Sequence, residues 1–388
     1  MKIVMTGGGS GGHITPILAV AHEVKKREPS AQVIYIGQKG DKFASIVAEH
    51  EVIDGAYTVR AGKFRRYHGL GLKQVLDVPT IAKNLRDAFF VLVGLWQSFW
   101  LLGKLKPDVV FCKGGFVGVP VGLAAALRRI PYVTHDSDAV PGLANRIIAR
   151  WAKAHAVALS PELYPYPKDE TFDVGVPVSH QFQSVTPELQ ASYRRELGLE
   201  KFDQVVFVTG GGLGAGRINN AMAASAGELL AAFPKLCIVH TAGHQHEAAA
   251  SAAYTKLLSP EARARVIVRD YASDLYRYSG AADVVVARGG ATSFAEFAQQ
   301  GRACIIIPAT QLVGDHQTKN ALAYAAKKAI ILLDEGRLQT DPTELGRVVD
   351  DLLQHSAKRT ELVKNIQAFA RPNAARDLAE LIIRFAAR

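Results

Sequence analysis

The stretch Val4–His13 reads VMTGGGSGGH, and about two hundred positions later Phe207–Gly216 reads FVTGGGLGAG. Each glycine cluster follows a β-rich run, Lys2–Met5 in the first case and Val205–Val208 in the second, and precedes an Ala-rich, helix-compatible stretch. That order predicts a strand, a tight turn and a helix N-terminus. Glycine permits positive φ and close approach of the backbone, and the N–H groups at a helix start attract anions such as phosphate. The repetition predicts two domains of one general type, each with a loop able to hold a phosphate.

The alternation continues on both sides of these loops. Pro16–Arg27, Gln32–Gly37, Asp108–Cys112, Pro120–Arg129 and Tyr132–His135 carry helix and strand signals in turn. A Pro-rich break, SPELYPYPKDE (Ser160–Glu170), is the linker candidate. Beyond it, strand signals return at Gln204–Val208, Leu236–His240, Arg265–Val268, Asp283–Ala287 and Ala303–Ile307. Short β-rich runs between longer helical patterns predict an α/β fold of doubly wound parallel sheets. The expected division is a Rossmann-like domain over 1–165, a second over 166–370, and a basic amphipathic helix over 371–388 packing back on the first. Ligands in such sheets bind beyond the C-terminal strand ends, so the two halves are expected to face a cleft.

The chain has 388 residues, more than one ordinary core organises, with 48% hydrophobic and 21% charged residues. A formal net charge of +10 points to an anionic partner: nucleic acid, an acidic membrane surface or phosphorylated substrates. Cys112, Cys237 and Cys304 are far apart, lack metal-ligand spacing and read as buried thiols in a reducing compartment. MKIVM runs straight into the glycines, with no apolar segment of signal-peptide length. Ala88–Gly103, AFFVLVGLWQSFWLLG, falls short of the roughly 20 residues needed to span a bilayer and contains Gln97 and Ser98. It reads as a buried helix or a membrane-contacting face.

Gly7-x-Gly9-x-x-Gly12 satisfies the dinucleotide fingerprint formally, and Gly210-x-Gly212-x-x-Ala215 satisfies its Gly/Ala variant. A dinucleotide-dependent oxidoreductase is the first rival reading. The acid that would hold a ribose 2′-OH is missing from the end of VIYIG, where Gln38 and Lys39 stand. Neither loop has the P-loop lysine. His13 directly follows the first loop, where the helix dipole favours neutral imidazole, the form a general base needs. A hydrogen bond stabilising the turn is the plainer role for it.

The motifs in order are TGGGSGGHITPILAVA, KPDVVFCKGGFVGVPVGLAA, HDSDAVPGLANR, TGGGLGAGRINN, ARGGATSFAEFAQQGRACIIIP and GDHQTKNALAYA. Together they resemble the MurG family of inverting glycosyltransferases over essentially the whole length. The resemblance implies the GT-B architecture, with donor UDP-N-acetylglucosamine mainly on the C-terminal half. The acceptor would be lipid I, glycosylated at the C4 hydroxyl of its muramoyl group to give lipid II. It implies His13 as the catalytic base, with Asp138 as the alternative. Donor contacts would come from Ser10, Gly11, Gly12, Asp138, Gly212, Ala272, Ala291, Thr292, Ser293, Glu296, Gln317 and Asn320. Acceptor contacts would come from Gly9, Ser10, Gly11, Gly12, Gly114, Gly115, His135 and Asp138. The implied chemistry needs no cofactor or metal, although Asp136 and Asp138 form a D-x-D string.

Residue chemistry supports parts of this. Glu296, early in a helix, can accept from both hydroxyls of a ribose diol, although a carboxylate near a helix start is common anyway. Gln317 and Asn320 share a helix face and could meet sugar hydroxyls or serve as ordinary caps. The chain departs from the family at Asp136-Ser137-Asp138, where Glu-Gln-Asn is usual, at Ser179, where an arginine is usual, and at Gly212 and Leu213, where Ser-Gln is usual. A divergent member, or one with a related donor or acceptor, fits these changes. A two-domain nucleotide-sugar binding module without activity is a further alternative. Arg60, Lys63, Arg65, Arg66 and Lys73 precede the apolar stretch, and Lys83, Arg86, Lys104 and Lys106 flank it. Basic residues beside an apolar face suit peripheral attachment to an anionic membrane, expected at its cytoplasmic side. No nucleic-acid-binding module is recognisable, so nucleic acid is not an expected partner.

Overall fold

The computed structural model describes residues 1–9, 11–41, 44, 47–63, 78–211, 214–272, 274–309 and 315–387. Ser10, Arg65, Arg66, Lys73, Gly212 and Leu213 lie outside the described residues. The chain divides into two compact units, Met1–His180 with Arg371–Arg388, and Gln181–Ala370.

The first unit is one parallel sheet of order β3-β2-β1-β4-β5-β6-β7. Its strands are β1 (Lys2–Thr6), β2 (Gln32–Gln38), β3 (Gly55–Val59), β4 (Val109–Cys112), β5 (Tyr132–Asp136), β6 (Ala154–Val157) and β7 (Thr171–Asp173). The helices between them are α1 (Gly11–Arg27), α2 (Val78–Leu105), α3 (Gly118–Leu127) and α4 (Leu143–Ile148). Side chains alternate across the sheet, so Ile3 and Met5 enter one core while Val4 enters the other. Both faces are covered, which is why β4 can be apolar at every position.

The second unit repeats the plan in a sheet of order β10-β9-β8-β11-β12-β13. Its strands are β8 (Gln204–Thr209), β9 (Leu236–Thr241), β10 (Val266–Arg269), β11 (Val284–Ala287), β12 (Cys304–Ile306) and β13 (Ile331–Leu332). Its longer helices are α5 (Pro187–Glu196), α6 (Gly216–Ala232), α7 (Glu247–Leu257), α8 (Leu275–Ala281), α9 (Ala291–Gln300), α10 (His316–Ala325), α11 (Glu344–Gln354) and α12 (Ser356–Gln367). Val206 and Val208 enter one core, and Val205 and Phe207 the other.

The last helix, α13 (Ala374–Ala386), belongs to the first unit. Leu378, Ala379, Leu381 and Ile382 join the core that holds Ile17, Val20 and Val24 of α1. At roughly 1.5–3 kcal/mol per large side chain, this burial outweighs the Arg27–Glu380 ion pair at its rim.

Three expectations need correction. The first unit runs to His180 rather than 165, because β7 pairs with β6 as the last strand of the first sheet. Ser160–Glu170 is no loose linker: Tyr164 and Tyr166 are buried in a cluster with Val157. Helix α1 begins at Gly11, with Pro16 inside it, which places His13 in its first turn.

Candidate functional site

In each sheet the chain direction of the crossovers reverses at a central pair of strands, β1 and β4 in the first unit and β8 and β11 in the second. Crevices form beyond the C-terminal ends of such pairs. The expected glycine loops follow β1 and β8. The partner strands carry glycine loops as well: Lys113-Gly114-Gly115, whose glycines are among the expected acceptor contacts, follows β4, and Arg288-Gly289-Gly290 follows β11. Both open with a cation and two glycines after an apolar strand.

In the first unit the two loops interlock. Gly115 has φ +78°, and a Cβ there would lie 2.7 Å from the carbonyl oxygen of Gly8, so only glycine fits. Gly114, at φ +106°, sits against His13: a Cβ would lie 3.6 Å from Nε2 of His13 and 3.7 Å from Nδ2 of Asn145. His13 is half-buried and Gly12 exposed. The N–H of Gly9 donates to Oδ2 of Asp41 at 2.9 Å. Thus an acid does reach the first loop from just beyond β2, but it bonds the loop itself.

Beneath these loops lies a network of charged groups. Lys113 is buried, its Nζ donates to Ser137 Oγ at 2.8 Å, and burial lowers its pKa to about 8 against the pull of Asp138 and Asp136. Asp136 accepts from the Tyr166 hydroxyl at 2.8 Å and from the N–H of Gly142 at 3.1 Å, while burial raises its pKa. Tyr166 stacks on His155 at 4.0 Å between ring centroids. Asp138 is half-buried, and its carbonyl accepts from the Tyr164 hydroxyl at 3.0 Å.

His135, expected at the acceptor, is instead fully buried, with Nε2 bonded to the carbonyl of Gly175 at 2.8 Å. Burial, and then the Lys113 charge, hold it neutral, well below the usual histidine range. That bond ties the end of β5 to the chain just beyond β7. Asn145, absent from the expected set, donates to the His135 carbonyl at 2.9 Å, and its Oδ1 is buried with no partner among the described residues.

In the second unit, α9 starts after Gly290, with Ala291, Thr292 and Ser293 in its first turn. Glu296 falls in the next turn. It is 9% exposed, has no hydrogen-bond partner among the described residues, and burial raises its pKa to about 8. The start of α10 packs on the loop after β11, where a Cβ on Gly289 would lie 2.9 Å from the carbonyl of Gln317. The side-chain oxygen of Gln317 accepts from the N–H of Ala309 at 2.9 Å, so it shapes the loop after β12. Asn320 and Ala272 are buried.

The second unit also holds an open cavity of about 460 Å³. Gly214, Ala215, Gly216, Arg217, Asn220, Arg288, Ala309 and Glu335 line it. Arg217, Arg288 and Glu335 were not anticipated, because their proximity depends on sheet order.

Two Rossmann-like units with glycine loops at both reversal points define the GT-B class of glycosyltransferase architecture. The chain belongs to glycosyltransferase family 28 and, within it, to the MurG family. The model of the family 28 N-terminal domain matches residues 3–157, and that of the C-terminal domain matches residues 205–381. The UDP-N-acetylglucosamine–N-acetylmuramyl-(pentapeptide) pyrophosphoryl-undecaprenol N-acetylglucosamine transferase of Halalkalibacterium halodurans is 31% identical, over 98% of this chain and 99% of its own. The Flavobacterium psychrophilum protein of the same name is 31% identical, over 99% of this chain and 97% of its own. The crystal structure of Acinetobacter baumannii MurG shares the fold, with a TM-score of 0.70, 24% identity and 99% of both chains covered. A UDP-GlcNAc 2-epimerase from Neisseria meningitidis, solved with UDP-GlcNAc bound, also shares it, at a TM-score of 0.64 and 13% identity over 99% of this chain and all of that one.

Proposed function

We propose that this protein transfers N-acetylglucosamine from UDP-N-acetylglucosamine to the C4 hydroxyl of lipid I, giving lipid II with inversion at the anomeric carbon. Its full-length similarity to relatives named for that reaction supports the substrates. The observation that carries the site reading is Glu296. A nearly buried carboxyl without a protein partner among the described residues is costly, and a ribose diol supplies the donors it lacks.

In this reading the second unit holds the nucleotide and the first holds the acceptor. The acceptor hydroxyl attacks the anomeric carbon as the bond to UDP breaks, and His13 takes the hydroxyl proton. Its place in the first turn of α1 sets the imidazole against Gly114 of the loop after β4. Asp138 is the alternative base. The charge developing on UDP is met by helix N–H groups and guanidiniums, and the transfer needs no cofactor.

The lipid tail of the acceptor calls for attachment to a membrane, and α2 offers the surface. Leu85, Phe89, Leu92, Trp96 and Trp100 are 60–68% exposed and recur at helical spacing along one face. Lys83, Arg86 and Lys104 lie exposed on the same helix. Ala82–Leu105 is long and apolar enough to cross a bilayer by length and composition. Its other face is committed to the protein: Leu102 and Leu105 are buried, and Gln97 accepts from the N–H of Arg60 at 2.8 Å. The helix therefore lies on an anionic leaflet, at the cytoplasmic side where UDP-sugars are found, rather than spanning it.

Labelled UDP-N-acetylglucosamine incubated with lipid I tests the reaction. Wild type should form lipid II. His13→Ala should lose about 10²–10⁴ in kcat while keeping its UDP affinity. Failure of the wild type to label lipid I would overturn the substrate assignment. A His13→Ala enzyme with full kcat would move the base elsewhere.

A further inference from the structure

Lys113 opens the loop after β4 and is 2% exposed. Its backbone N–H donates to the carbonyl of Thr6 at 2.9 Å, and a Cβ on Gly7 would lie 3.2 Å from its own Cβ. The residue is thus wedged beneath the first glycine loop. Its side chain crosses to the loop of the neighbouring strand, since β4 pairs with β5 through Cys112 and Thr134. There the ammonium donates to Ser137 Oγ at 2.8 Å, between Asp136 and Asp138 in the chain.

An ammonium carries three N–H donors, so this bond leaves two of them with no partner among the described residues. Burial works against the charge, and Asp138 and then Asp136 draw it back. The other ionisable groups close by are His135, which burial and Lys113 hold neutral, and His13, which faces the next residue, Gly114.

The two aspartates are unlike. Asp136 is 5% exposed and accepts from Tyr166 and from the N–H of Gly142. Asp138 is half-buried, and its backbone carbonyl accepts from the Tyr164 hydroxyl. Asp138 is therefore the one placed to meet a substrate, on a loop fixed at two points: by Tyr164, and by Lys113 through Ser137.

Stability alone does not account for this arrangement. A buried ammonium among carboxylates is costly to desolvate, and an unbranched apolar side chain would fill the same space. The chain also departs from its family here, with Asp138 where an asparagine is usual. An amide is neutral and both donates and accepts, whereas a carboxylate is charged and only accepts. A cation beneath the loop offsets the charge that this exchange adds.

We propose that Lys113 and Asp138 form a compensated charge pair, in which Lys113 is the positioning residue that aims Asp138 at a hydrogen-bond donor of the sugar, a hydroxyl or an amide N–H. The inference rests on Asp138 reaching the substrate in the glycosyl-transfer reading. Lys113 touches no reacting atom: it balances the carboxylate and, through Ser137, sets the loop that carries it.

Two measurements on the full-length protein test the pair. Lysine ammonium NMR reports it without substrate, the Lys113 signal being identified by its loss in Lys113→Gln or Lys113→Met, whichever folds. Lys113 should release its proton at about pH 8 in wild type and at lower pH in Asp138→Asn, because an opposite charge favours the ammonium. Steady-state transfer to lipid I is then compared in wild type, Lys113→Met, Asp138→Asn and the double variant, with thermal melting to report folding. Each single variant should lose about tenfold in kcat/KM, and the double should recover to within about threefold of wild type, because it sets an amide on a neutral support. An unchanged Lys113 titration in Asp138→Asn would overturn the pair. So would additive losses in the double variant, which mark two independent structural defects. A shifted titration in a protein whose wild type leaves lipid I unlabelled would support the pair and overturn the transfer reading.

Discussion

Oδ2 of Asp41 accepts a hydrogen bond from the backbone N–H of Gly9 at 2.9 Å, so the first glycine loop already holds a carboxylate of its own chain. A diphosphate approaching this loop meets that negative charge. Asp41→Asn keeps an oxygen to accept from Gly9 and removes the repulsion, worth about 1 kcal/mol at an effective dielectric near 20 with partial screening. The KM for lipid I should fall about fivefold with little change in kcat. Initial rates against acceptor concentration at saturating donor check this, and an unchanged KM would place the acceptor diphosphate away from Gly9.

Glu296 should make stability and nucleotide binding depend on pH in opposite senses. Burial raises its carboxyl to about 8 from 4.5, so the folded chain holds this proton over a range in which the unfolded chain has released it. Fewer protons on the unfolded state mean that stability falls as pH rises from about 5 to about 8, by up to ~1.4 kcal/mol per pH unit. Glu296→Gln should flatten that slope in thermal melts. Donation from a ribose diol favours the carboxylate, so the UDP affinity of wild type should rise over the same range relative to the variant. Near pH 8 the variant should bind UDP more weakly by roughly 1–3 kcal/mol. Parallel pH profiles for the two proteins would remove Glu296 from the nucleotide site.

Tyr166→Phe should destabilise the first unit. The hydroxyl is one of the donors that satisfy the buried carboxylate of Asp136, at 2.8 Å. Losing it should cost about 1–3 kcal/mol in denaturant unfolding and leave UDP affinity unchanged. An unaltered unfolding curve would mean that another donor takes its place.

Replacing Trp96 and Trp100 with serine should release the protein from anionic vesicles. Both indoles are more than 60% exposed, so the change alters little of the folded core. Each apolar side chain lost to the bilayer is worth roughly 2 kcal/mol, enough for a tenfold or larger drop in co-sedimentation. Retained UDP binding would show that the protein is intact. Equal sedimentation of both proteins would defeat the docking role of α2.

Local signals in the sequence reached far into this protein. A strand followed by clustered glycine and an Ala-rich run can form little besides a strand, a turn and a helix start, because turn chemistry and helix periodicity act between near neighbours. That was enough to set both Rossmann-like units, to put His13 at the start of α1 and to put Glu296 on α9. The same locality misread Ser160–Glu170, where proline-rich spacing suggests a linker while Tyr164 and Tyr166 are held by partners far along the chain. It likewise underestimated α2, whose Ala88–Gly103 core is extended by flanking polar residues to Val78–Leu105.

What only the tertiary structure decided depends on contacts between distant residues. Glu335 meets Arg217 across 118 positions and Arg288 across 47. Asp136 meets Tyr166 across 30. No spacing rule links such positions, because their meeting follows from which strands lie side by side. Burial belongs to the same level: His135 and Glu296 look equally available in the sequence, yet the structure buries both, the first completely and the second to 9% exposure. The sequence by itself determined the elements and the loops prepared for anions. The order of the strands determined which charges face those loops, because charge pairing and desolvation act through space rather than along the chain.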